Sequence, residues 1–394
     1  MPTDVVASGP EVSPQHKGRK MDPIELQVDV TEAAGLGEQM TLAMSLFLPD
    51  ADIASFPILL FCIPGGTRRR ESWNMTVPGR NGYSFAEFAS NKHCVVCAFD
   101  VLGTGDSSRP SDPGFPTELV ARTNDALVRN VSERLGDGTL VSGIEPWEPL
   151  LTGAIGHSMG AFYLIRQQAL FSSYGVVAIL GYSTLFPQLL YGRADQTLFI
   201  GLTSEVQLVE QGRSSGMDPY ATSTSDQDKA RRMNYLGDVP DDVIAAHEAL
   251  KTNAPGYSSA ATLIPGIVTA DAAAIDVPVF LGFAERDTSR DPLMEVSSYP
   301  GAKDVTLHVL EGSAHATSCA TTRQKQWTGS SVGFSAWRGN EVLAFGRQGS
   351  HLGVFDTRGQ VRPRCSHFLS EELILIRLLS MSTWTASRIL YGVS

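Results

Sequence analysis

Apolar stretches recur along this chain and alternate with segments in which apolar residues return at helical spacing. The uninterrupted apolar runs predict strands covered on both faces, because a half-exposed strand would alternate apolar and polar positions. The predicted strands are 24–30, 41–48, 57–63, 95–99, 150–155, 176–180, 277–283 and 305–310. The predicted helices between them are 84–89, 117–134 and 161–170. Strands that alternate with helices indicate an α/β fold, with a mostly parallel sheet and helices on both of its faces.

The alternation of predicted strands and helices stops between residues 184 and 276. The stretch contains polar runs, helical pieces such as 243–250, and no clear strand. An insertion at this place in an α/β sheet lies over the carboxyl ends of the strands, where ligands bind. We therefore predict a helical cap. Its apolar side chains predict an apolar pocket, and they are Phe186, Leu189, Leu190, Phe199 and Ile200.

The predicted organisation is one core interrupted by the cap. Residues 21–183 form the first part of the core, 184–276 the cap, and 277–327 the second part of the core. Residues 1–20 are polar, and we expect a disordered extension there. Residues 328–394 do not continue the alternation of strands and helices, and we expect a tail there that is disordered or an artefact of gene prediction.

Composition narrows the range of partners. The chain has 394 residues, 42% of them hydrophobic, and a formal net charge of −11. Such an acidic chain argues against nucleic acid and anionic membranes as main partners, with the run Arg68-Arg69-Arg70 as a local exception. The apolar stretch at 373–376 is too short to span a bilayer. We see neither a secretory signal nor a peroxisomal tripeptide, so we expect a cytoplasmic protein that acts on a small molecule. The oligomeric state stays open.

The cysteines indicate neither a disulfide framework nor a metal site. Their number is odd, and no secretory signal accompanies them, which favours a reducing compartment. Cys94 and Cys97 spell C-x-x-C, but they lie in a predicted strand that points them to opposite faces. We expect no metal and no cofactor.

A candidate nucleophile follows the strand predicted at 150–155. The next five residues are Gly156, His157, Ser158, Met159 and Gly160. G-x-S-x-G between a strand and a helix is the spelling of a nucleophile elbow, in which a strained turn lifts the serine above the sheet. Side chains two residues before and after that serine would collide, so both positions favour glycine. The motif by itself also fits an ordinary glycine-rich turn.

A serine hydroxyl needs a base to accept its proton and a carboxylate to orient that base. In this type of fold the chain order is serine, then acid, then histidine. The acid candidates follow the strand at 277–283; Asp287 is preferred, Glu285 is the alternative, and Asp291 ranks behind them. The base candidate is His315, in a loop of small residues after the last predicted strand.

The oxyanion of the reaction needs backbone donors. We assign one to the N–H of Met159, the residue after the nucleophile. The second should come from the loop after the strand at 57–63, at Gly66 or Thr67. A further glycine-rich loop begins at Asp100 and lacks the spelling of a phosphate-binding loop, so we interpret it as structural.

Taken together, these motifs resemble the α/β-hydrolase superfamily over about 24–327. The resemblance implies an eight-stranded, mostly parallel sheet with a helical cap, and an acyl-enzyme on Ser158 with His315 as base and Asp287 as its orienter. The chain is also similar to hydrolases associated with fungal toxin or polyketide biosynthesis. It departs from many relatives at Pro64, where they carry histidine.

Three functions fit the motifs. The first is a serine hydrolase that cleaves an ester, thioester or lactone of a medium-sized apolar molecule. The second keeps the triad for acyl transfer or cyclisation. The third is a non-catalytic ligand-binding protein, which would not need the triad.

Overall fold

The structure is a computed structural model, and it describes residues 22–48, 53, 58–187, 202–216, 219–221, 227–335, 344–348, 351–355 and 376–378. The predicted extension at 1–20 and most of the predicted tail lie outside the described residues. So do four of the five apolar residues predicted to line the pocket, namely Leu189, Leu190, Phe199 and Ile200.

A central sheet organises the described residues. Its strands are β1 Ile24–Asp29, β2 Thr41–Phe47, β3 Ile58–Ile63, β4 Cys94–Phe99, β5 Leu151–His157, β6 Val176–Leu180, β9 Val279–Arg286, β10 Val305–Ala314 and β13 Ile376–Leu378. Their order is β1-β2-β4-β3-β5-β6-β9-β10-β13. The block from β4 to β10 is parallel, whereas β1, β2 and β13 pair antiparallel. The eight predicted strands are thus confirmed. The sheet has a ninth strand, β13, which is too short to give a periodic pattern.

Helices cover both faces of the sheet, as predicted. They are α1 Thr31–Ala34, α2 Phe85–Ser90, α3 Thr117–Gly136, α4 Met159–Phe171, α5 Glu205–Ser215, α6 Gln227–Asn234, α7 Asp241–Glu248, α8 Gly256–Ala261, α9 Thr269–Ala274, α10 Pro292–Glu295 and α11 Arg323–Ser335. One apolar core packs α3, α4 and α9 on one face, and a second packs α2 and α11 on the other. Cys97 belongs to the first core and Cys94 to the second, so they lie on opposite faces.

The described part of the predicted cap differs from the sequence expectation in one detail. It is mainly helical, but Tyr220–Ala221 (β7) pairs antiparallel with Ala254–Pro255 (β8). Two residues are too few for an alternating pattern, so sequence periodicity missed them.

The end of the core also differs in detail. Strand β10 continues to Ala314, with a register shift between Leu310 and Ala314, so it reaches the edge of the candidate site. Helix α11 continues to Ser335, across the predicted boundary between 327 and 328. Ala344–Gln348 (β11) and His351–Phe355 (β12) form an antiparallel pair within the predicted tail. Among the described residues, no helix combines the length and hydrophobicity needed to cross a bilayer.

Candidate active site

Ser158 lies between β5 and α4 in a strained turn. Its backbone has φ 55° and ψ −119°, an uncommon conformation for a residue with a side chain. A Cβ on Gly156 would lie 2.6 Å from the carbonyl oxygen of Gly160, and a Cβ on Gly160 would lie 2.4 Å from that of Ile63. Only glycine fits at either position, as the G-x-S-x-G spelling predicts.

Three parallel strands bring the predicted triad together at their carboxyl ends. Ser158 follows β5, Asp287 follows β9, and His315 follows β10. Ser158 Oγ lies 2.9 Å from His315 Nε2, and His315 Nδ1 lies 2.6 Å from Asp287 Oδ1. An ionised carboxylate only accepts hydrogen bonds, so Nδ1 carries the hydrogen and Nε2 is free to accept the serine proton. The three residues therefore have the geometry of an activated serine.

The structure also separates the three acid candidates. Asp287 is 7% exposed and accepts hydrogen bonds from the N–H groups of Ala284 and Thr288, at 2.7 Å each. Glu285 instead accepts from the N–H of Gly312 at 2.9 Å. Asp291 caps the short helix α10. Glu285 therefore braces the loop that leads to His315, and Asp287 alone of the three contacts the histidine.

The loop between β3 and Arg70, residues 64–69, is the one predicted to supply the second oxyanion donor, and we call it the donor loop. It lies against the elbow. A Cβ on Gly65 would lie 3.4 Å from Ser158 Cβ, and one on Gly66 would lie 3.5 Å from Met159 Cβ. Thr67 has φ 57°, in the left-handed region. In the described residues, neither Gly66 nor Thr67 donates its N–H to a backbone carbonyl. Both N–H groups are therefore available to a ligand.

Backbone hydrogen bonds join this loop to the predicted cap. Thr252 donates its N–H to the Thr67 carbonyl at 3.0 Å, and Arg69 donates to the Leu250 carbonyl at 3.1 Å. The cap also holds the histidine, because His315 donates its N–H to the Met233 carbonyl at 3.2 Å. The predicted cap therefore positions both the donor loop and the base.

The Asp100 loop has a structural role, as predicted. Asp100 is fully buried and accepts from the N–H of Arg70 at 2.7 Å and from Arg70 Nη1 at 2.6 Å. Arg70 also contacts Glu25 and Asp106. This ion-pair network anchors the far end of the donor loop to β4.

A cavity of about 270 Å³ opens onto Ser158 and His315. Its wall combines apolar side chains with polar ones, and the predicted cap contributes several of them; among the lining residues are Trp73, Met159, Tyr182, Met233, Asn234, Ser259, Leu263 and Trp327. Phe186, predicted to line an apolar pocket, is not among them. It is 48% exposed and borders a separate surface depression near Met294.

His157, the neighbour of the candidate nucleophile, has a role that sequence analysis missed. Its Nε2 lies 2.8 Å from the carbonyl oxygen of His315, so Nε2 must carry the hydrogen and donate it. Burial, the nearby His315 and the Arg68 charge lower the pKa of His157 to about 4, although Asp287 acts in the opposite direction. A neutral His157 therefore holds the backbone of the candidate base.

A second group of interacting side chains, which sequence analysis did not predict, lies beside the donor loop. Arg68 Nε donates to His247 Nε2 at 3.2 Å, and Arg68 Nη2 donates to Glu248 at 2.9 Å. His247 Nδ1 therefore carries its hydrogen and donates to the Tyr235 oxygen at 2.7 Å, and Tyr235 donates to Glu248 at 2.6 Å. Burial and the Arg68 charge hold the pKa of His247 well below its usual range. Arg68 lies about 180 positions before His247 and Glu248, so no local pattern could reveal the cluster.

A model of the alpha/beta hydrolase family matches residues 60–324, which is more than half of the chain. The chain belongs to the alpha/beta hydrolase family. This match confirms the resemblance inferred from the motifs. Comparison with curated proteins gives no significant match.

Solved structures of other alpha/beta hydrolases share the fold. The proline iminopeptidase of Mycobacterium smegmatis is 16% identical, with a TM-score of 0.50 over 78% of this chain and 96% of its own. DcsB, solved with a substrate analogue, is 14% identical, with a TM-score of 0.53 over 79% of this chain and 99% of its own. A thermophilic esterase from Thermogutta terrifontis is 13% identical, with a TM-score of 0.51 over 80% of this chain and 97% of its own. At these identities the likeness concerns the fold alone.

Proposed function

We propose that this alpha/beta hydrolase is a serine hydrolase that cleaves an ester, thioester or lactone of a medium-sized, largely apolar molecule. The observation that carries the proposal is the chain of contacts from Ser158 Oγ to His315 Nε2 at 2.9 Å and from His315 Nδ1 to Asp287 at 2.6 Å. A binding protein does not require this alignment, whereas a nucleophilic serine does. The similarity of the motifs to secondary-metabolite hydrolases supports a role in that chemistry.

The proposed reaction has two halves. Ser158 Oγ attacks the carbonyl carbon while its proton passes to His315 Nε2, and the carbonyl oxygen becomes an oxyanion facing the N–H of Met159 and that of Gly66 or Thr67. His315 then donates the proton to the departing oxygen or sulfur, which leaves an acyl group on Ser158. Water attacks this acyl-enzyme, His315 takes its proton, and the acid product leaves as Ser158 recovers the proton.

Covalent labelling tests the proposal directly. We expect a fluorophosphonate probe to label the full-length protein on Ser158, as located by peptide mass spectrometry, and the label to disappear in Ser158→Ala. His315→Ala should lose most labelling while retaining its fold by circular dichroism. Folded protein that admits the probe to the cavity but takes no label would refute the proposed nucleophile.

Acyl transfer by the same triad is the alternative chemistry. Product analysis with p-nitrophenyl esters in water and in water with added alcohols separates the two. Free acid as the main product supports hydrolysis, and preferential formation of the new ester supports transfer.

A further inference from the structure

The wall of the candidate cavity is cationic although the chain as a whole is acidic. Its charged lining side chains, apart from histidines, are Arg68 and Lys251 within the described residues, and both are cations. Glu248 does not line the cavity and forms ion pairs with both. One carboxylate cannot neutralise two cations, so this cluster retains one positive charge, in a chain of net charge −11.

The neighbouring histidines add no charge to the wall, because low pKa values keep His157 and His247 neutral near pH 7. Asp287 carries a negative charge, but it does not line the cavity, and its carboxylate binds His315 and two backbone N–H groups rather than a cation. The charged groups on the cavity wall itself are therefore the two cations Arg68 and Lys251.

Three residues of the wall also have buried groups that can donate a hydrogen bond but have no partner among the described residues. They are Nη1 of Arg68, Nε1 of Trp73 and the hydroxyl of Ser259. Arg68 uses its Nε for His247 and its Nη2 for Glu248, so Nη1 is the remaining arm of the guanidinium. A buried donor without an acceptor is costly, and such a donor beside a cavity favours a ligand that supplies acceptor oxygens.

We propose that Arg68 and Lys251 form an anion subsite that binds a carboxylate of the substrate, which is otherwise apolar. The proposal rests on the function proposed above and specifies its substrate class. Two cations that share the single carboxylate of Glu248 match one further carboxylate better than a phosphate dianion, and the remaining Nη1 of Arg68 can donate a charge-assisted hydrogen bond to it. Arg68 follows the candidate oxyanion residue Thr67 directly, so the carboxylate and the reacting carbonyl share one cavity of about 270 Å³ and are joined by a short spacer.

The test compares substrates that differ only in charge. The first pair is p-nitrophenyl hydrogen glutarate and the neutral p-nitrophenyl 5-methylhexanoate, in which an isopropyl group replaces the carboxylate. The second pair places the same difference on the alcohol side of a butanoate ester, with 4-hydroxybutanoate and 4-methylpentanol as leaving groups. The readout is the ratio of kcat/KM for the acid to that for its neutral partner, after subtraction of uncatalysed hydrolysis.

The variants are chosen to shift this ratio in opposite directions. Arg68→Gln and Lys251→Gln should each lower the acid-to-neutral ratio of kcat/KM about 10- to 100-fold, because a charge-assisted contact is lost. We expect this effect in the substrate pair whose carboxylate reaches the subsite. Glu248→Gln should raise the ratio, because it removes the competing carboxylate. A merely structural role of the cluster would alter both substrates alike and leave the ratio unchanged.

Arg69→Gln is the matched control. Arg69 is the next residue along the chain, does not line the cavity, and pairs with Glu71 and Asp106. We expect its ratio to equal that of the original protein. The anion subsite would be overturned if, for both substrate pairs, the ratios of Arg68→Gln and Lys251→Gln equalled that of Arg69→Gln.

Binding separates this proposal from the proposed function. In Ser158→Ala protein, isothermal titration of the acid and neutral esters measures the subsite without any reaction. A preference for the acid that disappears with Arg68→Gln supports the subsite, even if Ser158 takes no fluorophosphonate label. Equal affinity for both esters, together with labelling of Ser158, refutes the subsite and leaves the hydrolase proposal intact.

Discussion

His157 donates a hydrogen bond from its Nε2 to the backbone carbonyl of His315, across 2.8 Å. The elbow that presents the candidate nucleophile therefore also holds the candidate base. Loss of this bond should allow the His315 loop to move away from Ser158. We expect His157→Ala to lower kcat for a neutral p-nitrophenyl ester about tenfold, which corresponds to one hydrogen bond of about 1–1.5 kcal/mol.

A conservative variant distinguishes positioning from packing. His157→Gln retains a side-chain N–H donor, and its kcat should lie between those of His157→Ala and the original protein, with KM little changed. Equal kcat in His157→Ala and the original protein would contradict a positioning role.

Gly160→Ala should disable the elbow. The added Cβ would lie 2.4 Å and 2.5 Å from the carbonyl oxygens of Ile63 and Pro64, and backbone atoms of a central strand cannot yield cheaply. We expect kcat/KM to fall at least about 100-fold and the free energy of unfolding to fall by about 2 kcal/mol or more. Gly237→Ala is the control, because nothing lies within 4 Å of its Cβ position. Ester hydrolysis and urea unfolding report the two effects, and an active Gly160→Ala protein would exclude this backbone geometry.

His247 should make stability depend on pH below neutrality. Burial and Arg68 depress its pKa in the folded state below the ordinary value of 6.5, so the unfolded chain binds more protons as the pH falls. Its contribution to stability is therefore complete above about pH 6.5 and is lost progressively below it. His247→Gln should reduce the slope of unfolding free energy between pH 6.5 and 5 by up to about 1.4 kcal/mol per pH unit.

Urea unfolding at several pH values measures this slope. The control is Gly237→Ala, which replaces no titratable group and should therefore retain the original slope. Identical slopes in His247→Gln and Gly237→Ala would show that His247 does not titrate with folding.

Asp100→Ala should destabilise the core strongly. Asp100 is fully buried, and its removal deprives the Arg70 guanidinium, only 7% exposed, of its one buried carboxylate partner, while Glu25 and Asp106 remain. Breaking one side of a buried ion pair costs about 3–5 kcal/mol when the remaining charge has no other partner, so we expect a loss of about 2–3 kcal/mol here. Asp112→Ala removes a pair with Arg213 in which Asp112 is 70% exposed, and it should cost less than about 1 kcal/mol. Chemical denaturation compares the two, and equal losses would show that Asp100 is not an anchor.

The predictability of the candidate site depended on where each residue stands along the chain. Ser158, Asp287 and His315 each follow a buried strand, and the carboxyl ends of parallel strands share one edge of the sheet, so their neighbourhood could be expected. Asp287, Glu285 and Asp291 all lie in one short loop, however, and only their contacts distinguished them. Gly66 and Thr67 stay alternatives, since both leave their N–H groups without a backbone acceptor in the described residues.

The sequence by itself determined the fold class, the chain order of the candidate nucleophile, acid and base after their strands, and the glycines of the elbow. It could do so because periodicity and steric demands are local properties of the chain. Only the tertiary structure decided which partners meet across long separations. Arg68 lies about 180 residues from His247 and Glu248, and His157 lies a comparable distance from His315. These contacts arise because parallel strands and the predicted cap converge at one edge of the sheet. No spacing along the chain encodes that convergence.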